Sequence, residues 1–293
     1  MKNILFIPCA ALAVAGALSL PAKVQAQAKF ASPEAAADAL IEAMTTNNNS
    51  AKARVLGKEW KQLIPPEGVD PADRQAFLDK AKERRAVTLA DARGELVVGN
   101  DPWAFPVPLK RSADGQWQFD TRAGREAILD RRIGANERAA MQAVLAYVDA
   151  QREYATADRN GDGVYEYARK LISTKGKRDG LIWSPSLGDE SPLGEGYVAS
   201  KPGQGYHGYH FKILEGQGPR AKGGARSYLI GNRLMSGFAV IAWPVIYGQT
   251  GVTSFIVNQE GVVYERDLGP NTASIAKNTK LFDPGEPWRK VAP

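Results

Sequence analysis

Residues 136–163 read NERAAMQAVLAYVDAQREYATADRNGDG and carry the longest helical pattern in the sequence. Two adjacent apolar stripes recur at the period of an α-helix: Met141, Leu145, Val148 and Ala155, and Ala140, Val144, Tyr147 and Tyr154. Asn136 is a good N-cap residue, and the polar run that starts at Asp158 ends the pattern. The stretch therefore predicts a long amphipathic helix from Asn136 whose apolar face is covered by the segments that follow.

The chain after this helix has the pattern of an antiparallel sheet. Four runs are rich in β-branched and aromatic residues: Tyr209–Leu214, Gly237–Tyr247, Val252–Asn258 and Val262–Arg266. Gly248–Gly251 and Asn258–Gly261 are hairpin turn signals, so we predict a four-stranded meander packed on the long helix. Pro244 is expected at a bulge or an edge. Before the sheet, Tyr165–Ile172 is expected to form a helical turn and Lys175–Gly205 a long surface loop.

The first half begins with helical signals. Ser32-Pro33-Glu34 combines an N-cap, a first-turn proline and an acid, which predicts a helix over residues 33–46. A second helix is expected around Val55–Leu63, where Pro65-Pro66 stops it. Asp70-Pro71 predicts the start of a third. Three helices therefore precede the first sheet.

A small sheet follows these helices. Short strands are expected at Leu96–Val98, Trp103–Leu109 and Gln116–Phe119, with a hairpin turn at Ala113–Gly115. A short helix from Thr121 to Ile133, ended by Gly134, leads into the long helix. Helices followed by a bent antiparallel sheet resemble the cystatin-like and NTF2-like folds. We therefore expect an α+β architecture in two subdomains.

The N-terminus has the layout of a secretory signal peptide. Lys2 precedes an apolar run from Ile4 to Leu20, and small residues at Ala26 and Ala28 close two cleavage sites. The alternative is a membrane anchor, but the run is short for a bilayer span and Pro21 follows it. We predict cleavage of residues 1–26 and a bacterial periplasmic or secreted protein with no transmembrane segment in the mature chain.

Composition excludes several kinds of chemistry. Cys9 is the only cysteine and lies in the leader, so the mature chain has no disulfide, cysteine nucleophile or thiolate metal site. Loss of the leader removes Lys2 and Lys23, which leaves 36 basic and 32 acidic side chains and a net charge of +4. This mild charge comes without the interleaved aromatic and basic residues of a nucleic-acid platform, so no nucleic acid is expected as a partner.

The loop after the long helix resembles the first half of a calcium loop. Asp158, Asn160 and Asp162 alternate, Gly163 allows the sharp turn, and Glu166 falls at the ninth position. The twelfth position is occupied by a cation, Arg169, instead of the usual bidentate carboxylate. Calcium at Asp158, Asn160, Asp162 and Glu166 and a turn that merely ends the helix therefore both remain open, and no other cofactor is indicated.

The two histidines of the chain, His207 and His210, invite a zinc interpretation. If Tyr206–Phe211 is extended, side chains three positions apart point to opposite faces, and no source of further ligands is evident. We therefore expect one surface and one core histidine. Serine-nucleophile and phosphate-loop motifs are absent from the sequence.

Residues 180–210 are the expected binding surface. Four aromatic residues in this region are interpreted as exposed ligand-binding side chains: Trp183, Tyr197, Tyr206 and Tyr209. Asp189, Glu190 and Glu195 lie in the same region, and a pair of carboxylates can serve a glycan hydrolase. Among glycines and prolines such acids are more often solvated turn residues.

Several motifs together resemble a known family. They are the helix at Asn136-Glu137, GLIW at Gly180–Trp183, GYHF at Gly208–Phe211 and the run FAVIAWPVIYGQTGVTSFIVNQEGVVYERDLG at Phe238–Gly269. They are similar to the bacterial secreted family known as domain-of-unknown-function family 2950. The resemblance extends over nearly all of the mature chain, and it implies no catalytic residues.

The helix-then-meander order also resembles the globular heads of type IV pilins. The charged residues Arg138, Asp149 and Arg152 on the long helix argue against a filament subunit. We predict a signal peptide over residues 1–26, an N-terminal subdomain over 27–134 and a second subdomain over 135–293. We expect a non-enzymatic binding or scaffolding protein whose partner is an envelope protein or a cell-wall component. The alternative is an envelope glycan hydrolase that uses carboxylates in residues 175–210.

Overall fold

The structure, a computed structural model, describes residues 26–64, 70–194, 197 and 203–291. Nearly all of the predicted leader, with Cys9, and also Glu195 lie outside the described residues. The chain divides into two compact units, Met1–Gly124 and Arg125–Pro293. Helices and antiparallel sheets make up both, so the predicted α+β class is confirmed.

The first unit begins with four helices: α1 Pro33–Thr45, α2 Asn49–Leu56, α3 Trp60–Leu63 and α4 Pro71–Glu83. The Ser32 side chain accepts from the Ala35 N–H and that of Asp70 accepts from the Ala72 N–H, so both predicted caps are confirmed. The single helix predicted around Val55–Leu63 is wrong. It is two helices interrupted at Gly57, whose φ is 85°, a conformation that suits glycine.

The sheet of this unit has five strands: β1 Arg85–Ala90, β2 Arg93–Val98, β3 Trp103–Ala104, β4 Leu109–Arg111 and β5 Trp117–Phe119. Their order is β1-β2-β4-β5, with β3 paired to β2. The turn predicted between β4 and β5 is confirmed by a hydrogen bond from the Gly115 N–H to the Ser112 carbonyl. Strand β1 was not predicted, since its mostly exposed side chains show no apolar alternation.

A single helix, α5 Thr121–Tyr154, replaces the two predicted around Gly134. The predicted N-cap at Asn136 is therefore wrong. Its Nδ2 donates to the Thr250 carbonyl at 2.8 Å, and the neighbouring Glu137 accepts from the N–H groups of Val252 and Thr253 at 2.9 Å each. These two polar residues hold a loop of the sheet rather than the start of a helix.

The predicted meander is confirmed, with one added strand. Its strands are β6 Tyr209–Leu214, β11 Ala239–Pro244, β12 Thr253–Asn258, β13 Tyr264–Asp267 and β14 Arg289–Lys290, in the order β14-β13-β12-β11-β6. Pro244 ends β11 and pairs only with β6, since the last β11–β12 pair is Ala242 with Phe255. The proline therefore takes no N–H away from the β11–β12 ladder.

Short elements connect and cover this sheet: β7 Gly216–Gln217, β8 Arg226–Ser227, β9 Leu229–Ile230, β10 Arg233–Leu234 and the helix α6 Thr272–Asn278. The helical turn expected at Tyr165–Ile172 is wrong, because this segment is irregular and forms a β-bridge from Tyr167 to Leu234. Of the two apolar stripes on α5, Tyr147 and Tyr154 are buried, whereas Leu145 is 40% exposed. Among the described residues, no helix is both long and apolar enough to cross a membrane.

Candidate functional site

A charged cleft of about 780 Å³ opens in the second unit beside the loop that follows α5. Its polar lining includes Asn160, Asp162, Glu166, Arg169, Lys170 and Arg233. Two segments far apart in sequence supply these side chains, one from the loop after α5 and the other from the β9–β10 hairpin. The cleft therefore depends on the tertiary fold.

The loop is built around the Asp158 carboxylate. One oxygen accepts from the N–H groups of Gly161 and Asp162 at 2.8 and 3.2 Å, and the other accepts from the Gly163 N–H at 2.8 Å. Gly161 and Gly163 have φ values of 76° and 84°, which permit this tight path. The Gly163 N–H, followed by the other backbone donors, holds the pKa of Asp158 below its ordinary value.

Two further carboxylates in the loop share their partners. The Asn160 Nδ2 donates to Asp162 at 3.0 Å and to Glu166 at 2.7 Å. Arg233 contacts the same two acids, at 2.8 Å from Asp162 and 3.9 Å from Glu166. One guanidinium therefore faces two carboxylates, and the Glu166 side chain is only 15% exposed.

This crowding changes the acidity of Glu166. Burial raises the pKa of its carboxyl, and the charge of Asp162 adds to the rise, while Arg233 and Arg169 oppose it. The net direction is upward, and the single guanidinium of Arg233 faces both carboxylates.

The two other cations of the cleft each have an acidic partner, which for Arg169 lies outside the lining. Lys170 lies 2.6 Å from Asp179, and Arg169 lies 2.6 Å from Glu215. Partial burial raises the pKa of Asp179, but hydrogen bonds from Lys170 and Thr174 outweigh that effect and bring it to about 2. Lys170 and Arg169 each have their own carboxylate, whereas Asp162 and Glu166 share the guanidinium of Arg233.

Tyr154, the last residue of α5, supplies a neutral hydroxyl to the cleft lining. Burial, followed by the charge of Glu166, raises the pKa of Tyr154 to about 12. Its hydroxyl donates to the Arg178 carbonyl at 2.8 Å. The tyrosine therefore stays protonated at neutral pH and fixes the segment around Arg178.

The calcium hypothesis meets a structural obstacle. Asn160, Asp162 and Glu166 lie together, but both carboxylate oxygens of Asp158 accept from backbone N–H groups of the loop, so Asp158 does not join them as a fourth ligand. Within the described ranges, no group of three or more His, Cys, Asp or Glu side chains is placed to hold a metal ion. The geometry favours a loop whose counter-ion is an arginine.

The prediction of exposed aromatic side chains is wrong for Trp183 and Tyr209. Trp183 is 4% exposed and donates from Nε1 to the Asp189 carbonyl at 2.9 Å. The Arg159 and Arg178 guanidinium groups lie 5.7 and 6.0 Å from its ring centre. The indole is thus buried beneath the side chains of neighbouring loops and is not part of an open surface.

Tyr209 is fully buried, and its hydroxyl donates to the Thr253 carbonyl at 2.8 Å. Tyr197 and Tyr206 are partly exposed and stack with ring centres 4.8 Å apart. All three tyrosines line a small apolar cavity of about 150 Å³, which does not include Trp183. The four predicted ligand-binding residues therefore do not form a single site.

The extended path assumed for Tyr206–Phe211 is also wrong. His207 and Gly208 have φ values of 44° and 73°, and Tyr206 and Tyr209 exchange both backbone hydrogen bonds at 2.9 Å. This is a two-residue hairpin turn with a positive φ at both central positions. His207 is exposed, while His210 is partly buried and packs 5.5 Å from the Trp243 ring.

The carboxylates of the alternative hydrolase hypothesis do not converge in the described part of the chain. Asp189 is exposed and pairs with Arg178 at 3.1 Å, and Glu190 is exposed. The sequence did not indicate Arg233 and Asn232, which come from the β9–β10 hairpin. The sequence shows only a turn at Gly231-Asn232. Nothing in that turn indicates that Arg233 pairs with Asp162, which lies 71 positions earlier.

Comparison with known proteins agrees with the resemblance drawn from the motifs. A family model described as "Protein of unknown function (DUF2950)" matches residues 27–291. No curated protein and no solved structure matches the chain. The similarities to cystatin-like folds and pilin heads therefore stay predictions.

Proposed function

The chain belongs to the DUF2950 family, and we propose that it is an exported bacterial envelope protein that binds a cell-wall component carrying an ammonium group. The site of binding is the charged cleft of the second unit. The signal-peptide pattern of residues 1–26 supports export. Because the family description assigns no activity, the proposal rests on the cleft.

The observation that carries the proposal is the imbalance at Arg233. This single guanidinium faces Asp162 and Glu166, and the pKa of Glu166 is raised because the two acids are crowded and partly buried. An ammonium group has three donors and one positive charge, so it complements such a pair. Binding there relieves the repulsion between the carboxylates.

The cations Lys170 and Arg169 of the cleft lining favour a ligand that also carries a negative charge. The Lys170 and Arg169 side chains are 50% and 34% exposed, so each cation can take a further acceptor beside the acid with which it is paired. A cell-wall peptide carries both amines and carboxylates, so it complements both the acids and the cations of the cleft. The volume of about 780 Å³ lies within the range of ligand sites.

One observation supports a second candidate, a hydrolase. Glu166 has a raised pKa and lies beside Asp162, with both acids bonded to the amide of Asn160. A carboxyl with a raised pKa beside a second carboxyl is the arrangement used for general acid catalysis. Binding alone remains the leading proposal, because Asp162 is paired with Arg233 and is therefore a poor candidate for the second carboxylate of a hydrolase.

Calorimetric titration of the mature protein tests the proposal. The probes are a soluble cell-wall peptide with a free side-chain amine and the same peptide acetylated on that amine. We expect acetylation to weaken binding by about tenfold or more, because a hydrogen-bonded charge is lost. Glu166→Gln should reduce the preference for the free amine, and the exposed Glu190→Gln serves as the matched control.

Three outcomes decide between the candidates. Equal affinity for the two peptides overturns the ammonium proposal. The same result follows if Glu166→Gln and Glu190→Gln behave alike. Release of a cleavage product by the native protein, lost in Glu166→Gln and kept in Glu190→Gln, replaces binding alone with the hydrolase.

A further inference from the structure

The first unit contains an apolar pocket of about 420 Å³ that has no part in the charged cleft. Its walls come from α1, α3, α4 and the segment that begins with β3. The larger apolar side chains of the lining are Met44, Ile64, Phe77, Trp103, Phe105 and Pro106. A pocket of this size and composition is within the range of small-molecule sites.

Aromatic side chains give the pocket a fixed shape. The Phe77 ring lies 6.1 Å from Trp103 and 5.9 Å from Phe105, and Phe105 packs edge-on against Phe119 at 6.1 Å. Phe105 is 6% exposed and anchors the group in the core, whereas Trp103 is 40% exposed at the mouth. The cluster therefore presents an apolar wall that runs from the core to the solvent.

Cations border this apolar wall. Arg74 and Lys80 line the pocket, and Asp73 is the only acid among its described lining residues. The Arg74 Nε is buried and has no hydrogen-bond partner in the part of the chain that the structure describes. A buried donor of a charged group that lacks an acceptor is costly, so the position favours an anionic ligand.

A second cation, Lys52, lies outside the pocket lining but close enough to Arg74 to be affected by its charge. Lys52 is 5% exposed, and its Nζ bonds the Asn47 side chain at 2.5 Å and lies 5.3 Å from the Trp60 ring centre. Burial, followed by the charge of Arg74, lowers the pKa of Lys52. Neither of these contacts is with a carboxylate, and among the residues that the structure describes no ion pair joins Lys52 or Arg74 to an acid.

From this combination we infer that the pocket of the first unit binds a single-chain amphiphile with an anionic head, such as a fatty acid. The acyl chain lies against Phe77, Trp103 and Phe105, and the head lies at Arg74. The apolar wall and the unmatched cations are both needed, since neither a neutral apolar molecule nor a polar anion complements the entire pocket. The inference does not depend on the ammonium site, which lies in the other unit.

Titration of the full mature chain with decanoate and with decanol, both below their aggregation concentrations, tests this inference. We expect decanoate to bind about tenfold to a hundredfold more tightly, because its charge satisfies Arg74. Dodecanoate should bind about tenfold more tightly than decanoate, as expected for two further buried methylene groups. Tryptophan fluorescence gives a second readout, since Trp103 lies at the mouth.

Arg74→Gln should abolish the preference for decanoate over decanol. The matched control is Lys82→Gln on the same helix, whose side chain is 73% exposed and pairs with Asp79. If Arg74→Gln does not fold, Lys80→Gln at the pocket wall takes its place and should reduce the preference. Equal affinity for acid and alcohol overturns the inference. So does binding to anionic lipid vesicles with no binding of monomeric decanoate.

Discussion

The side-chain amide of Gln151 bonds the backbone of Ala168 as a neighbouring strand would. Its Oε1 accepts from the Ala168 N–H at 2.8 Å, and its Nε2 donates to the Ala168 carbonyl at 2.8 Å. The same Nε2 lies 3.0 Å from the Tyr147 hydroxyl, and Gln151 is fully buried. The irregular segment that contains Glu166 and Ala168 is therefore held against α5 by the side chain of Gln151.

Gln151→Leu keeps the side-chain volume but removes both bonds to Ala168. Two buried backbone groups then lose their partners, and we expect the free energy of unfolding to fall by about 2–4 kcal/mol. Denaturant unfolding measures this loss. Gln249→Leu, at an exposed turn of the same unit, is the control and should change stability by no more than about 0.5 kcal/mol. A similar small effect for Gln151→Leu would show that the amide does not hold the segment.

Gly134 lies in the interior of α5, where a Cβ would meet only Arg138 Nη1 at 3.7 Å. Glycine costs about 1 kcal/mol relative to alanine at such a position. We therefore expect Gly134→Ala to raise the free energy of unfolding by about that amount, measured by thermal or denaturant unfolding. Destabilisation would indicate that the helix breaks at Gly134, as the sequence alone suggested.

The sequence predicted elements whose signals are local. The helix caps at Ser32 and Asp70 and the turn at Gly115 were found because the residues that form them are neighbours in the chain. A glycine inside α5 was mistaken for an end signal, since propensity is weak compared with the packing of a buried face. Local patterns were thus sufficient for the fold class and insufficient for the continuity of the helix.

The site was much less predictable, because its contacts join distant segments. The acidic loop was visible, but Arg233, which pairs with Asp162, lies 71 positions along the chain. Trp183 was expected on the surface because its neighbours are loop residues, yet the indole is covered by the Arg159 and Arg178 side chains. No periodicity in the sequence reports such contacts.

Gly251 lies against the Tyr209 ring. A Cβ on Gly251 would be 2.1 Å from the Tyr209 hydroxyl oxygen, and that hydroxyl is fixed by its bond to the Thr253 carbonyl. We expect Gly251→Ala to lower the free energy of unfolding by about 1–3 kcal/mol, as for other overpacked sites. Gly194→Ala, where no atom lies within 4 Å of the added Cβ, should have little effect in the same unfolding assay. Equal stability of the two variants would contradict the close packing at Tyr209.

Asp179 gives a test that depends on pH. Hydrogen bonds from Lys170 and Thr174 overcome the effect of burial and bring the pKa of Asp179 to about 2, below its ordinary value of 3.8. A carboxyl whose pKa is lower in the folded state stabilises the fold at every pH above the pKa of the unfolded chain, and this contribution is lost as the pH falls through the folded pKa.

We expect Asp179→Asn to lower the free energy of unfolding by about 1–2 kcal/mol at pH 7, a value reduced for the partial exposure of the pair. The difference from the native protein should shrink below pH 4, be mostly lost at pH 2 and vanish at lower pH, measured by denaturant unfolding across that range. Asp149→Asn, whose side chain is 79% exposed, is the control and should change stability little at pH 7. A difference for Asp179→Asn that stays constant between pH 7 and pH 2 would show that the carboxylate charge does not contribute to stability.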